Sequence, residues 1–192
     1  MGVPVPNDAE PEGPVAGVER ELLLPLVPRF PAAERRELGI GMQPIVEEMK
    51  RVQAAQPGVR IRVATDGGSD KVGTRRIGSW AVVVGGISVH GEVPGFDQSA
   101  PAAEQWAALQ AAWALNEASV VQAWLIIDNL MTVNGVKSTI AGVGRDHTDY
   151  YTLWRAFAAL TGRIDLRCDH APSHGKQPGD HRTERTWSCG EV

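Results

Sequence analysis

The chain has 192 residues, 43% of them hydrophobic and 22% charged, which is enough for one sizeable core plus an extension. Its formal net charge of −4 weighs against a strong nonspecific grip on polyanions, and no apolar run is long enough for a bilayer-spanning helix. The only two cysteines, Cys168 and Cys189, suit neither a zinc site nor a disulfide framework. Residues 1–14 lack the basic and apolar regions of a signal peptide, so a soluble intracellular protein of the cytoplasm or nucleus is expected.

Residues 1–17, rich in proline, glycine and acidic side chains, suit a flexible leader. Pro25, Pro28 and Pro31 break the apolar stretch 22–30, which cannot be one helix. A helix is predicted over 44–55, with Pro44 in its first turn and Ile45, Met49 and Val52 at helical spacing. Residues 1–58 thus read as a leader and helical extension without chemistry of their own, and 59–192 as the domain.

Ile61, Val63 and Thr65 alternate in a first strand, which is expected to close at Asp66 ahead of Gly67-Gly68-Ser69. Strands over 77–84 and 87–93 form a hairpin around Gly85-Gly86. Ser99 as N-cap and Pro101 in the first turn open a helix over 102–115. It is apolar nearly all round, as in a helix buried on more than one side. The apolar run 121–127 reads as a central parallel strand ending at Asp128-Asn129. A weak helix containing Gly135 follows over 131–140, then a helix over 150–160 with Leu153, Trp154 and Phe157 on one side. Ile164, Leu166 and Cys168 mark a fifth strand. The order β-β-β-α-β-α-α-β predicts an α/β fold with a mixed five-stranded sheet, an antiparallel meander plus parallel strands, flanked by helices.

Three carboxylates fall where these elements end or begin. Asp66 closes the first strand, Glu104 lies in the first turn of the buried helix, and Asp128 closes the fourth strand. If strands one and four are neighbours, the two aspartates emerge on the same side and the helix start brings Glu104 over them. Gathered carboxylates raise one another's pKa unless a cation sits between them, and all-oxygen donors suit Mg²⁺ or Mn²⁺.

The segments Thr65-Asp66-Gly67-Gly68-Ser69, Gly78-Ser79-Trp80-Ala81-Val82 and Glu104 with Ala107-Ala108 come in one order. Asp128-Asn129 with Val133-Asn134-Gly135, Leu153-Trp154 and Ala171-Pro172-Ser173-His174-Gly175 follow them. Together they resemble the ribonuclease H family, including the domains attached to retroelement reverse transcriptases. The resemblance spans residues 60–175 and implies a ribonuclease H-like fold. It also implies an endoribonuclease that hydrolyses the RNA strand of RNA–DNA hybrids with two Mg²⁺ or Mn²⁺ ions held by Asp66, Glu104 and Asp128. His174 would assist proton transfer or product release. Gly67, Gly68, Ser69 and Asn129 would approach the substrate, where a 2′-hydroxyl distinguishes RNA from DNA.

The sequence departs from the family in several places. Trp187 stands where a fourth carboxylate belongs, leaving Asp180, or Glu184, as the candidate ligand, in a stretch with little room for the usual final helix. Leu130 replaces a polar residue that would reach the hybrid, and His170 stands where tryptophan is common. Seven basic residues between Arg145 and Arg185 are a candidate positive rim, with a solvated surface of mixed charge as the other reading. An impaired or truncated ribonuclease H-like module for nucleic-acid binding or interaction is the alternative. A 3′–5′ exonuclease would need an acidic residue where Gly68 stands.

Overall fold

The computed structural model describes residues 36–95, 97–143 and 151–171. Its elements are helix α1 (Gln43–Ala55), strands β1 (Ile61–Val72), β2 (Arg75–Val84) and β3 (Ile87–Glu92), helix α2 (Ala100–Glu117), strand β4 (Gln122–Ile127), helices α3 (Leu130–Ile140) and α4 (Tyr151–Thr161), and strand β5 (Asp165–His170). The five strands form one sheet in the order β3-β2-β1-β4-β5. β1 pairs antiparallel with β2 and β2 with β3, whereas β4 runs parallel to both β1 and β5. This is the mixed, helix-flanked sheet that the ribonuclease H resemblance implies.

Alternation along the strands selects the core face. Ile61, Val63 and Thr65 of β1, Trp80, Val82 and Val84 of β2, and Ala123, Leu125 and Ile127 of β4 are buried. The helix α2 lies against β1 and β2 and also touches α1, α3 and α4. That explains a sequence with no polar face: 13 of its 18 residues are buried. Ser99 caps it as expected, accepting a hydrogen bond from the Ala102 N–H at 3.3 Å. Met42, just before the extension helix α1, and Ile45 and Met49 within it join the same core, each 0% exposed. Burial of such side chains stabilises by about 1.5–3 kcal/mol apiece.

One strand boundary differs from expectation in a way that matters for function. β1 does not close at Asp66; it continues through Gly67, Gly68 and Ser69 to Val72. The glycines stay extended because β2 goes on pairing with them, Gly67 opposite Trp80 and Gly68 opposite Ser79. The ladder of backbone hydrogen bonds to β2 outweighs the turn preference of Asp-Gly-Gly. The chain reverses instead at Gly73, whose φ of 61° suits a tight hairpin.

Gly135 lies inside α3 for a packing reason. A Cβ there would run into the indole ring of Trp154 on α4, and Trp154 is itself held edge-on against Phe157 with ring centroids 5.7 Å apart. Among the described residues no helix is long and apolar enough to cross a membrane.

Alanine normally improves a helix by about 1 kcal/mol over glycine. Gly135→Ala should do the reverse and destabilise by about 1–3 kcal/mol, because a buried ring and its helix must shift. Urea denaturation checks this, and the double variant Gly135→Ala/Trp154→Leu should recover part of the loss.

Candidate metal centre

The parallel pairing of β1 with β4 sets Thr65 opposite Ile127. The next residues, Asp66 and Asp128, therefore leave the sheet side by side, on the face opposite the buried Thr65 and Ile127. Glu104 comes from α2, which begins at Ala100, so it lies in the second helical turn and not the first. Asp66, Glu104 and Asp128 each offer a carboxylate oxygen, and these three oxygens lie within 4.8 Å of one another. The strand pairing brings Asp66 and Asp128 together, and Glu104 reaches them from α2.

Gly67 makes the third member's approach feasible. A Cβ at this position would collide with the backbone of Ala103 and Glu104, so only glycine lets the start of α2 lie directly on β1. A Cβ at Gly68 would have only the Ser79 Oγ nearby, at 3.8 Å. The two glycines are thus unlike: Gly67 is filled by the protein, and Gly68 faces open space.

Burial is graded across the cluster. Asp66 is exposed, Asp128 half-buried and Glu104 only 4% exposed. Desolvation, reinforced by a hydrogen bond and charge from Asp128 and by the charge of Asp66, pushes the Glu104 carboxyl up to about 9; a hydrogen bond from the Gly67 N–H opposes this. At neutral pH Glu104 therefore holds a proton when no cation is near. Its Oε2 is buried without a hydrogen-bond partner among the described residues. An all-oxygen donor set with such an oxygen fits a hard divalent cation, Mg²⁺ or Mn²⁺.

The neighbouring β5 end holds the backbone around Asp128 in place. The His170 ring Nε2 lies 2.7 Å from the Asp128 carbonyl oxygen, and the Ala171 N–H donates to the Ile127 carbonyl at 3.0 Å. Asp66 and Asp128 border a cavity of about 150 Å³, lined also by Ala64, Thr65, Ala81, Val83 and Ile126.

The other expected site residues fare differently. Ser69 Oγ donates to the Gln98 carbonyl at 2.6 Å, so its hydroxyl proton is engaged within the protein. Asn129 caps α3, its Oδ1 accepting from the Thr132 N–H at 3.0 Å. His174 and Asp180 lie outside the described residues. Sequence reasoning missed Gln98. Its Oε1 accepts from the Gly78 N–H, and its Nε2 donates to the carbonyls of Val93 and Gly95, at 2.8–2.9 Å. With the Ser69 bond it pins β1, β2 and the approach to α2 together, and no periodicity marks a loop glutamine for that task.

No family model matches the sequence, and no curated protein matches it. Among solved structures the chain is similar to the protease-reverse transcriptase of prototype foamy virus, at 16% identity and a TM-score of 0.48, over 65% of this chain and 19% of that one. It is also similar to the N-terminal RNase H domain of a Mycobacterium tuberculosis protein, solved as a fusion with maltose-binding protein (13% identity, TM-score 0.44, 58% of this chain and 83% of that one). LC11-RNase H1, isolated from compost and solved in complex with an RNA/DNA hybrid, shares 18% identity at a TM-score of 0.44, over 59% of this chain and 86% of that one. The chain spans about a fifth of the viral protein's length. The ribonuclease H-like fold of this domain rests on its own sheet order and pairing.

Two outcomes follow from the geometry. A carboxyl whose folded pKa is raised above its unfolded value leaves the folded state with more bound protons between the two values, so stability falls as pH rises from about 4.5 towards about 9. In chelator, the wild-type melting temperature should drop across this window, and Glu104→Gln should remove much of the slope, gaining about 5 °C at the alkaline end. Gly67→Ala should destabilise by about 2 kcal/mol or more through backbone displacement. It should also abolish any rise in melting temperature that Mn²⁺ gives the wild type.

Proposed function

We propose that the chain is a metal-dependent endoribonuclease that hydrolyses the RNA strand of RNA–DNA hybrids, with Asp66, Glu104 and Asp128 as ligands for two Mg²⁺ or Mn²⁺ ions. The observation that carries this reading is the convergence of three carboxylate oxygens within 4.8 Å, one of them on a buried side chain. Repulsion and desolvation make such a cluster unfavourable by itself, and a divalent cation offsets both. The order of ribonuclease H-like segments from Thr65 to Gly175 supplies the substrate class.

Bound cations would supply charge stabilisation for an in-line phosphodiester displacement and a more acidic water. The chain's own contributions are positional. Asp66 and Asp128 project from a rigid parallel strand pair, which fixes their separation. Glu104 gives up its proton when it becomes a ligand, so metal affinity should rise with pH. In this reading Asp180 completes the ligand set, His174 handles the proton at the leaving oxygen, and Gly68 allows a nucleic-acid backbone close to Asp66. The side chains of Ser69 and Asn129 brace the site, and their remaining hydrogen-bonding capacity faces substrate.

A noncatalytic interaction module is the second reading. It is favoured by Leu130 and Met131, which are 56% and 70% exposed at the start of α3 immediately after the Asp128-Asn129 pair.

Cleavage of a labelled hybrid in Mg²⁺ or Mn²⁺ decides between them. Replacing residues that merely support metal ligands typically costs 10–100-fold, so Asp128→Asn should lower the rate by about 100-fold or more. Wild type and Asp128→Asn equally inert with both metals would sink the enzymatic reading.

A further inference from the structure

Beyond the metal centre, β1 and β2 outrun the rest of the sheet. β4 pairs with β1 only as far as Thr65, and β3 pairs with β2 only back to Ser79. Gln98 clamps the ribbon at Ser69 and Gly78. Past that clamp, residues 70–77 form a two-stranded arm, and every residue from Asp70 to Arg76 is exposed.

The arm's charge runs against that of the chain. It carries Lys71, Arg75 and Arg76 with a single carboxylate, Asp70, in a protein of net charge −4. Lys71 stands directly opposite Arg76 in the strand register. Like charges facing each other across a ladder are destabilising, and none of the three cations has an ion pair or side-chain hydrogen bond among the described residues. An anion bridging the pair would turn this repulsion into attraction. Lys71 lies five residues beyond Asp66 on the same strand, roughly 17 Å away at the rise of an extended chain.

We infer that the β1–β2 arm is a phosphate clamp, in which Lys71, Arg75 and Arg76 grip the backbone of the nucleic-acid duplex whose strand lies at Asp66. The inference rests on the nuclease reading and adds a second point of attachment to it. Phosphates of one strand advance about 3.4 Å along the axis per base pair, so the clamp engages the duplex roughly five base pairs from the reacting bond. Such contacts fix position and register without reading sequence. Duplex DNA and hybrid should therefore depend on the arm alike.

The test uses the full chain carrying Asp128→Asn, which keeps the hybrid intact, and a fluorescently labelled hybrid titrated at several salt concentrations. Lys71→Gln/Arg75→Gln/Arg76→Gln should weaken binding about tenfold at low salt and reduce the slope of log affinity against log salt by about 2. The melting temperature should be unchanged or higher, since a repulsive pair is gone. Lys71→Arg/Arg75→Lys/Arg76→Lys should keep both affinity and slope. If the neutral triple variant does not fold, Arg76→Gln alone should still lower the slope, by about 1. Affinity and slope unaltered by neutralising the arm would overturn the clamp while leaving the nuclease reading intact. Equal loss in the charge-conserving variant would also overturn it, and failure of the parent to bind hybrid at all would remove both.

Discussion

Glycine at position 67 is the constraint on which the carboxylate cluster depends. Asp66 and Asp128 need only the parallel register of β1 and β4, which the apolar residues of both strands enforce. Glu104 needs more, because it belongs to a helix that must cross the sheet with its second turn over the strand ends. Helix and strand backbones usually stand apart by the size of their side chains, and here one side chain is missing at the crossing point. The same approach lets the Gly67 N–H donate to the Glu104 carboxylate. One hydrogen atom in place of a methyl group therefore sets how closely Glu104 approaches the two aspartates.

Much of this was legible in the sequence, for identifiable reasons. Strand alternation, the Ser99 cap and the all-round apolar α2 are local signals that tertiary packing reinforces, so those elements lie where periodicity puts them. The juxtaposition of Asp66 and Asp128 is conditional in the sequence on strands one and four being neighbours, and their parallel pairing meets that condition. The end of β1 was not legible, because Asp-Gly-Gly-Ser has the composition of a turn and stays extended only through its partner strand. The arm is hidden for the same reason, because Lys71, Arg75 and Arg76 fall on one paired ribbon only when β1 runs on to Val72. Gln98 and Gly135 act through long-range contacts with the Gly78 backbone and the Trp154 ring, to which no window of sequence is sensitive.

The cluster is held together against its own electrostatics. Three carboxylates at this spacing favour protonation or separation, and the buried member takes the proton. What prevents separation is the packing beneath. Thr65 and Ile127 are buried, and α1 and α4 add side chains to the same core. Met42, Ile45 and Met49 show that the helical extension shares in this work, so the segment before the first strand is structurally part of the support for the site. The stability available from these layers is what allows the strand ends to carry an unfavourable group of charges.

Charge distribution follows the same logic at larger scale. A net charge of −4 would repel a polyanion if spread evenly, yet Asp66 and Lys71 occupy one continuous strand, with Arg75 and Arg76 on its hairpin partner. A divalent cation would offset most of the negative charge around Asp66, and the arm supplies positive charge about five residues further on. Between them lies Gly68, with open space where a side chain would stand. An extended anionic chain laid along β1 would therefore meet attraction at two separated points and little steric resistance between them. Two fixed points define an orientation as well as a location, and a hydrolytic site that cuts one strand of a duplex requires both.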